Sequence, residues 1–206
     1  MGRAADLTRE RIAVEALALL DEAGAAGMTM RKVADRLGVK APSIYYHFES
    51  QDELIEAVHQ LVVQEIDRSG FHEPDWRTGL ANVARSYRDT FVRHGEAVAL
   101  VSRRPVSGDE ALGFYDDLVR VLLRHQVPVE RALVLVGTLD FLVLGSAVET
   151  FTAGFDQPAQ AYAVKQPKLA EALAAAALTT VDDEAFDIAL EAWLNVVAVN
   201  RTTRDS

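Results

Sequence analysis

The chain has 206 residues, half of them apolar and a quarter charged, which suits a globular protein of one or two domains with a sizeable core. It has no cysteine, which excludes disulfides and thiolate metal sites and makes a reducing compartment, the cytoplasm, the expected location. The net charge of −10 argues against nucleic acid as a partner only until its distribution is read.

The opening MGRAADLTRER lacks the apolar core of a signal peptide. Thr8 is placed to cap a helix in which Ile12, Ala13, Ala16, Leu17 and Leu20 share one face, and Gly24 stops it. Thr29 starts a short helix with Met30, Val33, Ala34 and Leu37 at helical spacing, ended by Gly38. Pro42 fits the first turn of a third helix, where its missing N–H costs nothing. Ser50 and Glu53 form a capping box, with Glu53 expected to reach the Ser50 amide, and open a fourth helix running to about Ser69.

After a break at Gly70–Asp75, helical periodicity returns in Trp76–Arg93, Glu110–His125, Val129–Thr152, Pro167–Leu178 and Asp183–Asn200, while 153–166 reads as a loop. The apolar run from Ala132 to Val148 carries Asp140 at its middle, so it reads as a buried helix and not as a membrane span. The expected fold is all-α: a three-helix N-terminal domain over 1–50, then a larger helical domain over 51–206 entered by a linking helix at about 51–69.

Between Met28 and Phe48, Arg31, Lys32, Arg36 and Lys40 face only Asp35, a locally basic segment in an acidic chain. In the same segment Ala34, Gly38 and Ile44 stand where a helix-turn-helix needs them: a small residue at the helix crossing, a glycine for the left-handed turn, and a branched residue docking the second helix. An aromatic run, Tyr45-Tyr46-His47-Phe48, follows. No nucleophile–base pair, phosphate loop, HExxH or common histidine spacing is present, so neither an enzyme nor a cofactor or metal protein is expected. His59, His72, His94 and His125 read as surface or singly bonded residues.

The segment Thr29-x-Arg31-x-Val33-Ala34-x-x-Leu37-Gly38-Val39, followed by Pro42-Ser43-Ile44-Tyr45-Tyr46-His47-Phe48, resembles the signature of the TetR (tetracycline repressor) family. Trp76, Arg104-Pro105, Gly145 and Glu149 are similar to the ligand-binding domain of the tetracycline repressors. The resemblance implies a homodimeric repressor that binds a palindromic operator in double-stranded DNA and is released by a small-molecule effector. It places Thr29, Arg31, Lys32, Lys40, Ala41, Pro42, Ser43, Tyr45, Tyr46 and His47 at the DNA. Ser43 can bond a base edge or a phosphate, Ala41 and Pro42 can pack on a thymine methyl, and the two tyrosines offer hydroxyls to phosphate. Arg3, Arg9 and Arg11 are expected to add phosphate attraction. Glu49 and Gln51 depart from the lysines that many relatives carry at this point.

Effector candidates are Tyr87, Arg103, Arg104, Phe114, Asp140 and Glu149, with Trp76 and Phe114 also readable as core. Leu100 and Asp67 stand where tetracycline repressors carry two drug-contacting histidines; leucine cannot coordinate a metal, so tetracycline–magnesium is not the expected effector. A dimer face is expected from Leu133, Val136, Asp140, Val143, Leu144 and Ala147 on one helix and Phe186, Leu190, Trp193, Leu194 and Val197 on another, packed as a four-helix bundle.

Overall fold

The computed structural model describes residues 7–101, 104–148, 151–176 and 178–202, and among them every regular element is helical. The chain opens with α1 (Arg9–Ala23), α2 (Met30–Leu37) and α3 (Ala41–Tyr45). The Thr8 hydroxyl accepts from the Arg11 amide and the Thr29 hydroxyl from the Lys32 amide, both at 3.2 Å, which satisfies orphan N–H groups at the two helix starts. Gly38 closes α2 with φ +68, a left-handed conformation that a side chain disfavours. Ile44 of α3 and Phe48 just beyond it are fully buried with Ile12, Leu20 and Val33, so α3 is docked from behind.

Helix α4 (Gln51–Gln64) follows, and Ser50 caps it by accepting from the Glu53 amide. The Glu53 carboxylate accepts from the Glu49 amide at 2.7 Å, one residue before the Ser50 amide expected from the capping box. The helix ends at Gln64, short of Ser69, and a 3₁₀ turn at Ser69–His72 occupies part of the expected break. Leu54, Ile55, Val58, Val62 and Val63 of α4 are buried against α1 on one side and the C-terminal helices on the other.

Helices α5 (Trp76–Arg93), α6 (Gly95–Val101), α7 (Asp109–Arg124) and α8 (Val129–Val148) build the rest of the core, with α5 on α8, and α7 on both α4 and α8. The short α6 had no separate signal in the sequence. Helices α9 (Ala159–Tyr162) and α10 (Pro167–Ala175) pack on each other, and α9 lies in the expected loop. Helix α11 (Leu178–Thr202) starts five residues before the expected Asp183 and packs along α8 and α5. Arg77, Arg85 and Arg88 of α5 pair in reverse order with Glu191, Asp187 and Asp183, which fixes the antiparallel register of α5 and α11. Among the described residues no helix is long and apolar enough to cross a membrane.

Most of the expected dimer face lies inside the subunit. Val136, Val143, Ala147, Phe186, Leu190, Trp193, Leu194 and Val197 are core, and the Trp193 indole N–H donates to the Leu135 carbonyl at 2.9 Å. Of the expected set Leu133 stays outward (72% exposed), and the exposed apolar faces are completed by Phe141 (77%) and Val129 on α8 and by Ile188 (72%), Val196 and Val199 on α11. Both helices are apolar around most of their circumference, and periodicity alone does not say which stripe turns inward.

The 3₁₀ turn meets α5 backbone to backbone. A Cβ on Gly79 would stand 2.2 Å from the Gly70 carbonyl oxygen. Alanine in place of a helical glycine ordinarily stabilises by about 1 kcal/mol. Here the sign should reverse: Gly79→Ala is expected to destabilise the fold by about 1–3 kcal/mol through overpacking, read by urea unfolding.

Candidate functional site

Two regions carry the residues singled out by sequence. The first is the outer surface of α2 and α3. Arg31, Lys32, Lys40, Pro42, Tyr45 and Tyr46 are exposed there, with Thr29, Ala41, Ser43 and His47 half-buried beside them. Tyr46 is 87% exposed and Tyr45 53%, high values for aromatic side chains on a helix anchored by buried Ile44. Arg31, Lys32 and Lys40 have no carboxylate within ion-pair distance among the described residues. Thr29 serves as the cap of α2, so its oxygen is already committed to the backbone.

Not every basic residue of this segment faces outward. Arg36 turns back onto α1, with Nε 2.8 Å from Glu15 and its two terminal nitrogens on both oxygens of Glu22, at 2.6 and 2.8 Å. These hydrogen bonds raise the Arg36 guanidinium above its ordinary value and lower Glu22. Arg9 donates to the His47 carbonyl, pairs with Glu53 at 2.7 Å and lies 4.1 Å over the Phe48 ring. Arg9, expected to add phosphate attraction, here braces the end of α3 against α4. Arg3 lies outside the described residues, and Arg11 has a further interaction of its own. Gln51, where a lysine was looked for, donates to the Met28 carbonyl at 3.0 Å and ties α4 to the α1–α2 turn.

The second region is a cavity of about 70 Å³ bounded by α4, α5, α7, α8 and the segment 104–106. Tyr87, Arg104 and Asp140 line it, as the sequence suggested. Asp140, a carboxylate in an otherwise apolar helix, is hydrogen-bonded there: Oδ1 accepts the hydroxyls of Tyr87 and Tyr115, each at 2.7 Å. Phe114 does not line the cavity. It is buried behind Tyr87 with ring centroids 4.9 Å apart, because its helical position on α7 turns it into the core beside Phe71. Trp76 lies under Arg201, 4.8 Å from its ring, away from the cavity. Arg103 and Glu149 lie outside the described residues.

Sequence reasoning missed Glu56, His59, Phe91 and Tyr115 in the lining, and it assigned Leu144 to a dimer face. Glu56 and His59 are three apart on α4, flanking its buried stripe, and that spacing was the available signal. His94, expected to be a surface or singly bonded residue, is neither: it is 6% exposed and bridges two carboxylates, Asp21 of α1 at 2.9 Å and Glu65 after α4 at 3.1 Å.

A helix pair with an exposed polar-aromatic face, set on a helical body with an internal cavity, defines a helix-turn-helix regulator. Two family profiles match the chain: "Bacterial regulatory proteins, tetR family" over residues 12–58 and "Tetracyclin repressor-like, C-terminal domain" over residues 71–199. The chain belongs to the TetR family of transcriptional regulators. It is similar to an HTH-type transcriptional regulator of Saccharopolyspora erythraea, 30% identical over 148 residues, a match spanning 72% of this chain and 59% of that one. It is also similar to the class A tetracycline repressor of transposon 1721 from Escherichia coli, 29% identical over 188 residues, covering 88% of this chain and 84% of the repressor. Among solved structures, the Streptomyces coelicolor TetR family protein ActR in complex with actinorhodin superimposes with a TM-score of 0.79 at 25% identity, covering 97% and 99% of the two chains.

Burial holds the His59 imidazole below its ordinary value of 6.5, against the opposing pull of Glu56. A histidine that resists protonation when folded leaves stability intact above about pH 7. Stability then falls as the pH drops through 6.5 toward the lower folded value. Acidification from pH 7.5 to 5.5 should therefore lower the melting temperature of the protein, and His59→Gln should decline less steeply over that window. The share due to His125, which is shifted the same way by burial, would remain.

Proposed function

We propose that the protein is a ligand-responsive repressor that binds a palindromic operator as a homodimer and releases it when a small molecule occupies the cavity. In this reading residues 1–50 are the DNA-binding domain and residues 51–206 the effector-binding and dimerisation domain, acting in the cytoplasm. The observation that carries it is the surface of α2 and α3: two exposed tyrosines beside Arg31, Lys32 and Lys40, on a helix whose opposite side is fully buried.

Lys40, Ala41, Pro42 and Ser43 occupy the first turn of α3, the part of a recognition helix that meets base edges in the major groove. Tyr45, Tyr46 and His47 at its other end are placed for phosphate, together with Arg31 and Lys32 from α2. Family membership supports operator binding, and the ActR complex with actinorhodin supports a ligand in the helical body. The exposed apolar faces of α8 and α11 support a twofold bundle, which would set two recognition helices roughly 34–36 Å apart. An effector that prefers the DNA-incompetent arrangement by 1–3 kcal/mol weakens operator binding ~5–150-fold.

Selection of random duplex DNA on the purified protein tests the reading. It should enrich a palindrome with half-sites about one helical turn apart. On that site Lys32→Ala should reduce the slope of log affinity against log salt by about one unit for each phosphate that the protein no longer neutralises. Failure to enrich any sequence at low salt would overturn specific DNA binding. Replacing Leu133 and Phe141 by Asp should yield a monomer by sedimentation, with its circular dichroism retained and operator affinity lost.

A further inference from the structure

The polarity of the cavity between α4, α5, α7 and α8 discriminates among ligand chemistries. Tyr87 and Tyr115 both donate their hydroxyl protons to one oxygen of Asp140, so the phenol oxygens are left to the cavity as acceptors. Burial, and then the neighbouring charge, raises both phenols above their ordinary values, so neither adds or loses charge near neutral pH. Glu56 brings a second carboxylate, of which Oε1 accepts from Gln60 at 2.7 Å. His59 is held toward its neutral form by burial. Among the described lining residues the cation is Arg104, and its guanidinium is turned to Asp52 at 2.6 Å.

Two carboxylates thus border a cavity whose other described lining residues are mostly aromatic or aliphatic, with Arg104 paired to Asp52. A carboxylate facing an apolar space is costly until a counter-charge arrives. The ring faces of Tyr87, Phe91 and Tyr115 attract the same charge sign. We infer that the effector is an organic cation: a protonated amine or quaternary ammonium carried on an apolar body. This rests on the ligand-responsive reading above and names the chemistry of its ligand. At about 70 Å³ the cavity admits a head group and not a whole drug-sized molecule. The segment 104–106 forms the outer wall, where Val106 lines the cavity while half of it reaches solvent. An acid of the same shape would meet two carboxylates and no free cation among the described lining residues.

The test is calorimetric binding to the full chain at pH 7.5 of matched probes: ammonium, alcohol and carboxylate on methyl, phenylethyl and naphthylethyl bodies. On at least one body the ammonium should bind tenfold or more tighter than the alcohol, and the carboxylate should not bind. Asp140→Asn, which keeps an acceptor for both tyrosines, should weaken ammonium binding roughly 10–100-fold, and alcohol binding by much less. Glu56→Gln provides the same reading if Asp140→Asn fails to fold. Equal or tighter binding of alcohols or acids, no binding of any ammonium probe, or ammonium binding indifferent to both variants would overturn the inference. If an acid or alcohol binds and releases the operator, the cation assignment fails and the ligand-responsive reading stands. If an ammonium probe binds with the expected preference yet leaves the operator complex intact, the cavity chemistry holds and the ligand-responsive reading fails.

Discussion

Helix α4 buries one apolar stripe against two partners, and the rest of the structure depends on that sharing. Leu54, Ile55, Val58, Val62 and Val63 supply core to α1 in the N-terminal head and to α6 and α7 in the body. Polar ties hold it at both ends. Gln51 and Glu53 fasten its start to the Met28 carbonyl and to Arg9, while Glu65, just past its end, meets the buried His94 ring that also bonds Asp21 of α1. A close-packed interior does not slide continuously, so a shift of α4 relative to the body carries the head with it. Glu56 and His59 stand on this same helix and line the cavity. A ligand there touches the element that orients α2 and α3, and no longer pathway has to be invoked.

The second constraint is electrostatic. In a chain of net charge −10, the positive face of the head is smaller than the sequence suggests, because Arg36 and Arg9 are consumed by carboxylates and a ring within the fold. Among the described residues of α2, α3 and the turn between them, Arg31, Lys32 and Lys40 remain outward with the hydroxyls of Tyr45 and Tyr46. In the proposed reading, few fixed charges imply modest long-range attraction and a modest salt dependence, and leave discrimination to short-range contacts at the start of α3. The surrounding acidity then works against indiscriminate association with phosphate.

Local signals were readable in the sequence wherever the chemistry was local. Thr8, Thr29 and Ser50 act as caps, Gly38 takes the left-handed turn, and Ala34, Gly38 and Ile44 assemble the helix-turn-helix as their spacing requires. Asp140 announced itself as a carboxylate in an apolar helix and found two tyrosine hydroxyls. Tertiary choices were less legible. Which stripe of α8 and α11 turns inward is decided by the partners that α5 and α7 present, so Val136 and Trp193 became core while Leu133 and Phe141 stayed outside. Glu56 and His59 look like ordinary exposed positions of an amphipathic helix until α5 and α8 close around them. Likewise nothing in its neighbours' sequence says that Arg36 belongs to Glu15 and Glu22.

The central claim is that head and body share one core through α4, and native-state hydrogen exchange on Val58→Ala tests it most directly. Removing two buried methyl groups at that position should cost about 2 kcal/mol. The account predicts that the slowest amides of α1 in the head and of α7 in the body lose protection together, by the same free energy. Loss confined to one of the two helices would show that head and body unfold independently, and would contradict the mechanical link on which the proposed control of DNA binding rests.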